Sequence, residues 1–318
     1  MMELFSDSGA SILGDSVAVA DYALIPSCGL YTHVRDTMTI LRVGLVQLNS
    51  RHDRAANFDA IDSLVAEAAG RGARFVLLPE HAPYLGPADG YQAGAEAIPD
   101  PTSARFAALA RRHGVYLHVG SLVERTDVPG KYANTSLVFD PTGEIIAKYR
   151  KIHLYDVEIP GRVSMRESDS VAPGDAIVTV PIDGVTVGLA ICYDLRFPEL
   201  FRLLALGGAE VLVNPAAFTL YTGRDHWEVL LRARAIENGA WMLAAAQWGT
   251  HEPNNACFGR SLVVDPWGTV VAQASDGVGV VVTEIDTALV AKIRTEVPSL
   301  ANRQPDAYHL AAAGVLVR

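Results

Sequence analysis

A thiol, a carboxylate and an amine each stand at the end of a short apolar run in this 318-residue chain. Cys192 closes the run in Val187-Gly-Leu-Ala-Ile-Cys-Tyr-Asp-Leu-Arg-Phe-Pro-Glu199, and Pro198 then opens a helical pattern. A residue at such a strand-to-helix elbow is presented at the sheet edge, near backbone N–H groups that can hold an oxyanion. Thiolate is the reactive form, so a site built on Cys192 must lower the thiol's pKa or remove its proton locally. Glu80 ends Phe75-Val-Leu-Leu-Pro-Glu80, where partial burial would raise a carboxyl toward working pH and suit it to general-base work. Lys151, in Ala147-Lys-Tyr-Arg-Lys-Ile-His-Leu-Tyr-Asp156, would stabilise a thiolate and an anionic intermediate if it points inward. Taken singly, each has an ordinary reading: a small buried hydrophobe, a surface carboxylate, a solvated edge charge. Together they are the nucleophile, base and electrophilic stabiliser that a hydrolytic thiol needs.

Such a trio needs buried strands to carry it, and from residue 41 onward the hydropathy pattern provides them. Apolar strand-length runs are expected at 43–48, 75–78, 115–123, 135–140, 145–149, 177–180 and 185–191. Further runs lie at 211–214, 241–246, 261–265, 270–274 and 278–283. Between them, 55–69, 103–113, 198–206 and 225–238 read as helices. The first carries Phe58, Ile61, Leu64, Val65 and Ala68 at helical spacing and stops at Gly70. Pro141-Thr-Gly143, Asp183-Gly184 and Pro266-Trp-Gly268 are hairpin signals. With no Pro/Gly/Ser-rich linker, the pattern predicts one α/β domain in which helices cover a mixed sheet system.

Composition narrows the function classes. A formal charge of −10 with scattered basic residues argues against nucleic-acid binding, which needs clustered Lys and Arg. No apolar run is long enough for a membrane span. Three cysteines (Cys28, Cys192, Cys257) without CxxC spacing suggest neither a disulfide framework nor a zinc site, and a cytoplasmic location fits. Residues 1–37 lack a basic n-region and clean periodicity, and are expected to be a weakly ordered extension before a catalytic domain at 38–318; a functional arm is the alternative.

Three motifs, LLPE ending at Glu80, YRKIHLYD around Lys151 and GLAICYDLRFPE around Cys192, occur intact and in order. On these the chain resembles the nitrilase superfamily of carbon–nitrogen hydrolases from about residue 42 to 308, and within it the Nit amidase branch of deaminated glutathione amidases and omega-amidases. Asp156-Val-Glu-Ile-Pro-Gly161, the 226–238 stretch and Val263-Val-Asp-Pro-Trp-Gly268 support that branch. The resemblance implies a four-layer α-β-β-α sandwich, a dimer or larger homo-oligomer, no metal or organic cofactor, and a Glu80–Lys151–Cys192 triad. It also implies that Glu167 helps position Lys151 and the substrate, with a plain loop glutamate as the alternative. The implied reaction is hydrolysis of a small carboxylate-bearing amide through a cysteine thioester, with the backbone N–H of Tyr193 at the oxyanion. An omega-amidase, an N-carbamoyl amino acid hydrolase and a catalytically silent binding protein are the rivals. Gly259-Arg-Ser261 departs from the branch's Gly-His-Ser, which leaves fine specificity open.

Other residues carry weaker signals. Phe218 and Thr219, after a strand end, are candidates for the pocket wall, with loop packing the even alternative. Asp194, Arg196 and Glu199 read as an ion-pair set that fixes the elbow. His81, His153 and His226 lack the HxxxH or HExxH spacing of a metal site. Arg232, Arg234 and Glu237 suit helix packing or a dimer contact, and Cys257 reads as inert.

Overall fold

The computed structural model describes residues 40–253 and 255–307. The expected N-terminal extension and Cys28 lie outside the described residues. The chain runs through β1 (Ile40–Gln47), α1 (Arg54–Gly70), β2 (Phe75–Leu77), α2 (Ala88–Ala93) and α3 (Pro101–His113). Next come β3 (Tyr116–Arg125), β4 (Tyr132–Phe139), β5 (Ile145–Arg150) and a hairpin of β6 (Asp156–Ile159) and β7 (Val163–Arg166). The second half gives β8 (Thr179–Ile182), β9 (Val185–Leu189), α4 (Pro198–Leu206), β10 (Val211–Val213), α5 (Leu220–Asn238) and β11 (Trp241–Ala244). A second hairpin, β12 (Trp248–His251) and β13 (Asn255–Phe258), precedes β14 (Leu262–Val264), β15 (Val270–Gln273), β16 (Gly279–Asp286) and α6 (Ala288–Glu296).

Two six-stranded sheets result, ordered β16-β1-β2-β3-β4-β5 and β15-β14-β11-β10-β9-β8. Each has three parallel strands at its centre, β1–β2–β3 and β9–β10–β11, flanked by antiparallel ones. Strand alternation explains the stacking. Val43, Leu45, Phe75 and Leu77 point into one core shared with Val187, Leu189, Val211 and Val213 of the other sheet. Their neighbours Val46, Val76 and Leu78 point the opposite way, onto Phe58, Ile61 and Val65 of α1 and Phe106 and Leu109 of α3. On the far side α4 and α5 cover the second sheet. The layers are helix, sheet, sheet, helix, and strands buried on both faces read as continuous apolar runs.

Local chemistry sets the ends. Asp53 caps α1 by accepting from the N–H groups of Ala55 and Ala56, and Asp100 with Ser103 forms a capping box on α3. Asp183 (φ 45°) and Gly184 (φ 82°) make the tight two-residue β8–β9 turn, as their pairing predicts. Several elements differ from expectation: β1 starts at Ile40 and β16 runs to Asp286, and α2, α6 and the hairpins β6–β7 and β12–β13 fall outside the expected spans. The helix expected from residue 225 starts at Leu220, the strand expected at 177–180 lies at Thr179–Ile182, and β4 begins three residues before 135. In these last three cases tertiary pairing extends or shifts an element beyond its apolar stretch.

Candidate active site

The motif residues follow the carboxyl ends of strands, where open α/β sheets leave space for ligands. Glu80 lies three residues beyond β2. The chain there passes Gly120 of β3 so closely that a Cβ on Gly120 would overlap the carbonyl oxygens of Leu78 and Pro79. Ser121 then accepts the His81 N–H at 2.9 Å. Lys151 directly follows β5, and its N–H donates to the Asn134 carbonyl at 2.9 Å. Cys192 opens the 3₁₀ turn Cys192–Arg196 with φ 48°, a left-handed conformation that costs a non-glycine residue energy and persists only where the surroundings hold it.

The elbow is over-determined by its surroundings. The Cys192 N–H donates to Pro215 O at 2.9 Å. Asp194, fully buried, accepts from Ile191 N–H at 2.8 Å, Tyr149 Oη at 2.7 Å and His153 N–H at 3.1 Å. Arg234 of α5 donates from Nε to Leu195 O at 3.1 Å, a packing role, and pairs with Glu237 at 3.0 Å. The expected ion-pair set is therefore corrected: Asp194 fixes the elbow through Tyr149, His153 and backbone. The Arg196 guanidinium instead lies 5.8 Å from the Tyr193 ring centre and 5.2 Å from that of Phe218.

The three side chains converge. Lys151 Nζ is 3.1 Å from Glu80 Oε1 and 2.8 Å from Glu167 Oε2, and both Glu80 and Lys151 are only 2% exposed. Glu80 Oε2 accepts the Ala217 N–H at 2.8 Å, and the Cys192 thiol faces the same carboxylate as a hydrogen-bond partner. Glu167 also accepts the Tyr155 N–H at 2.6 Å. A cavity of about 600 Å³ opens on Glu80, Lys151, Glu167, Cys192, Tyr193, Phe218 and Thr219, with Cys257 in its wall. Arg260 is not among its lining residues; it pairs with Asp276 at 3.1 Å beside a separate cavity of about 340 Å³.

Electrostatics assigns the resting protonation states. Burial alone would raise the Glu80 carboxyl, but Lys151 above all, then His81, the thiol and the Ala217 N–H, hold it below the usual carboxylate range. The expectation that burial raises this group is thus reversed, because a buried cation sits against it. Burial pushes the Cys192 thiol well up, and the Glu80 charge adds to this more than Lys151 opposes it. Lys151 stays charged because Glu167 and Glu80 outweigh its desolvation. The free site holds a thiol beside a carboxylate. Burial likewise raises Cys257, which keeps that second thiol protonated.

Asn134, which sequence reasoning missed, stands inside this cluster. Its Nδ2 donates to Glu80 Oε1 at 2.9 Å and to Glu167 Oε1 at 3.3 Å. The available signal was the polar triplet Asn134-Thr-Ser136 between the apolar flanks Tyr132-Ala133 and Leu137-Val-Phe139. Among the described residues, no group of three or more His, Cys, Asp or Glu is arranged to hold a metal ion.

A profile of the carbon-nitrogen hydrolase family matches residues 42–295, four-fifths of the chain. This chain belongs to the carbon–nitrogen hydrolase family. A deaminated glutathione amidase of Bos taurus is 41% identical to this hydrolase over 271 residues, covering 84% of this chain and 83% of the relative. The omega-amidase NIT2 of Homo sapiens is 38% identical over 273 residues, covering 85% and 98%. The crystal structure of the Caenorhabditis elegans NitFhit protein superposes with a TM-score of 0.79 at 38% identity. The chain covers 66% of that longer protein, and the match covers 85% of this chain. The hydrolase thus has the nitrilase-superfamily fold and is an amidase, as its motifs imply.

Proposed function

We propose that this amidase hydrolyses a small carboxylate-bearing amide through a thioester on Cys192, with Glu80 as proton shuttle and Lys151 as the cation beside the reacting carbonyl. The observation that carries this reading is the thiol and carboxylate facing each other, with the Lys151 ammonium 3.1 Å from Glu80, at the floor of one cavity. As the sulfur bonds the amide carbon, its proton passes to Glu80 and the carbonyl electrons move onto oxygen. Lys151 and the Tyr193 N–H hold that oxyanion; as second residue of its 3₁₀ turn, Tyr193 has no carbonyl within the turn to bond. Glu80 returns the proton to the nitrogen as the carbon–nitrogen bond breaks, releasing ammonia. Water then loses a proton to Glu80 and attacks the thioester; the carboxylic acid leaves and the thiol is restored. Glu167 keeps Lys151 charged and in place.

The substrate class follows from the wall. Arg196 lines the cavity, and its guanidinium lies close to two aromatic rings, Tyr193 and Phe218, a held cation suited to a substrate carboxylate. Phe218 and Thr219 form the adjoining surface. The likeness to a deaminated glutathione amidase makes deaminated glutathione the first substrate to try. A dicarboxylic acid monoamide is the second, since the omega-amidase is nearly as similar. Leu203, Val229 and Ile236, on α4 and α5, are exposed, and the resemblance to the nitrilase superfamily favours a homodimer through these helices. A cytoplasmic location completes the proposal.

The test is ammonia release from deaminated glutathione, succinamate and an N-carbamoyl amino acid side by side. Deaminated glutathione should be turned over fastest, and Cys192→Ala should lose at least about 10³-fold in kcat while remaining folded. Activity persisting in Cys192→Ala would remove the thioester pathway. Preference for succinamate would assign the omega-amidase reading, and turnover of none would overturn the proposed substrate class.

A further inference from the structure

Asn134 occupies a place that the triad alone does not account for. It lies in β4, whose residues are all buried, next to the end of β5, where the Lys151 N–H bonds its carbonyl at 2.9 Å. Cross-strand neighbours place their side chains on one face of a sheet, so the amide and the ammonium reach the same cluster together. Both bridge the same two carboxylates: Asn134 Nδ2 contacts Glu80 Oε1 at 2.9 Å and Glu167 Oε1 at 3.3 Å, and Lys151 Nζ contacts each of these oxygens at 3.1 Å. Only the –NH₂ end suits this position, because a carbonyl oxygen would face two carboxylates. Its Oδ1 is buried without a hydrogen-bond partner, so the side chain's contacts in this cluster all run through its –NH₂ end.

Lone pairs on Glu80 give the arrangement its meaning. An ionised carboxylate offers about four acceptor sites, two on each oxygen. Oε1 accepts from Asn134 and Lys151, which fills it; Oε2 accepts from Ala217 N–H at 2.8 Å, which leaves one site. We infer that Asn134 is a positioning residue that closes Oε1 and so directs the thiol proton, and later the water proton, onto Oε2. Without it Oε1 has a free lone pair on the Lys151 side, where a proton taken from sulfur is stranded away from the leaving nitrogen. A neutral donor does this without adding charge, whereas a second cation would weaken the base further. This rests on the reading of Glu80 as the base.

The experiment follows iodoacetamide alkylation of Cys192, resolved by peptide mass spectrometry across pH, in the full-length wild type, Asn134→Leu, Asn134→Asp and Glu80→Gln. Charged and titratable groups around Glu80 are Lys151, Glu167, His81 and Cys192, with Tyr91 and Cys257 beyond them, and none is altered by the Asn134 variants. Losing a donor to the charged form raises the carboxyl, so the acid limb of alkylation should move up by about one pH unit in Asn134→Leu. On whichever panel amide turns over fastest, kcat should fall about 10- to 100-fold with KM within about twofold. Asn134→Asp, the closest match in shape, should be worse than Leu, because it sets a third carboxylate against the other two; a packing role predicts the reverse order. Should Asn134→Leu fail to fold, Asn134→Ala replaces it with the same expected limb shift. An unshifted limb in folded variants, or Asp milder than Leu, overturns the inference. Glu80→Gln alkylating like the wild type would instead overturn the base assignment beneath it.

Discussion

Lys151 remains an ammonium although it is buried: desolvation alone would drive it toward neutrality, and Glu167 and Glu80 reverse that. The same contact keeps Glu80 ionised. Lys151→Met removes the strongest attraction on Glu80, so the carboxyl rises and the acid limb of kcat/KM should move upward by about one to two pH units. On the proposed mechanism it also removes an oxyanion partner, worth about 100-fold or more in kcat. A pH–rate profile checks both, and an unmoved acid limb would separate the two residues functionally. Arg196→Ala should act differently, raising KM about tenfold or more for a carboxylate-bearing amide while leaving a neutral amide almost unaffected. Equal effects on the two amides would take Arg196 out of substrate recognition.

Elements position these groups through contacts far apart in sequence. Gly120 is required by the passage of Leu78 and Pro79 across β3, so Gly120→Ala must push the Glu80 loop outward. A shift of about 1 Å there should cost about 100-fold in kcat, and a wild-type kcat would show that the loop relaxes freely. Glu124 joins β3 to its neighbours, bonding Arg150 Nε at 2.8 Å, Lys148 Nζ at 3.0 Å and Thr135 Oγ1 at 2.8 Å. Burial would raise its carboxyl, but Arg150, Thr135 and Lys148 lower it to about 2. A carboxyl depressed in the folded state stabilises fully above its unfolded value of about 4.3 and loses that contribution as pH falls toward 2. Glu124→Gln should therefore lower stability by about 2 kcal/mol near neutral pH, with the difference closing below about pH 4. Denaturation of both proteins against pH measures it.

Much of this scaffold was legible. Long apolar runs such as 43–48 and 185–191 declare themselves because both faces of each strand are buried, and Asp183-Gly184 fixes its turn by backbone preference alone. The β6–β7 and β12–β13 hairpins were not legible: they are four-residue strands, in part exposed, with no sustained alternation. Motif resemblance found Glu80, Lys151, Cys192 and Glu167. Asn134 escaped because asparagine disfavours strands and the expected strand began one residue after it. Its meaning lies in partners 54 and 33 positions away.

At the scale of the molecule, two similar sheets stack with their helices outward, and the site sits where strands of both end. Glu80 and Lys151 follow strands of one sheet, Cys192 and the Ala217 N–H strands of the other, so the bond from Ala217 N–H to Glu80 within the site also joins the two layers. Exposed Leu203 and Val229 lie on the outer faces of α4 and α5, the two helices that pack nearest the Cys192 elbow. If these faces join two copies, Val229→Glu should convert a dimer to a monomer on size-exclusion chromatography with light scattering; an unchanged mass would place any interface elsewhere. The sheet stacking is checked at the layer-bridging bond itself. Glu80→Ala should loosen the 216–219 segment and raise its hydrogen exchange, since the Ala217 N–H loses its acceptor. Unchanged protection there would show that the bond does not hold the two layers in register.

The central claim is that one thiol, and not the other in the same cavity, gives its proton to Glu80. Peptide-resolved alkylation rates of Cys192 and Cys257 by iodoacetamide near neutral pH, in wild type and Glu80→Gln, test it most directly. Cys192 should react much faster than Cys257 in the wild type and change its rate by about tenfold or more in Glu80→Gln, with a smaller change at Cys257, whose thiol the Glu80 charge also raises. Equal rates for the two thiols, or a Cys192 rate indifferent to Glu80→Gln, would contradict it.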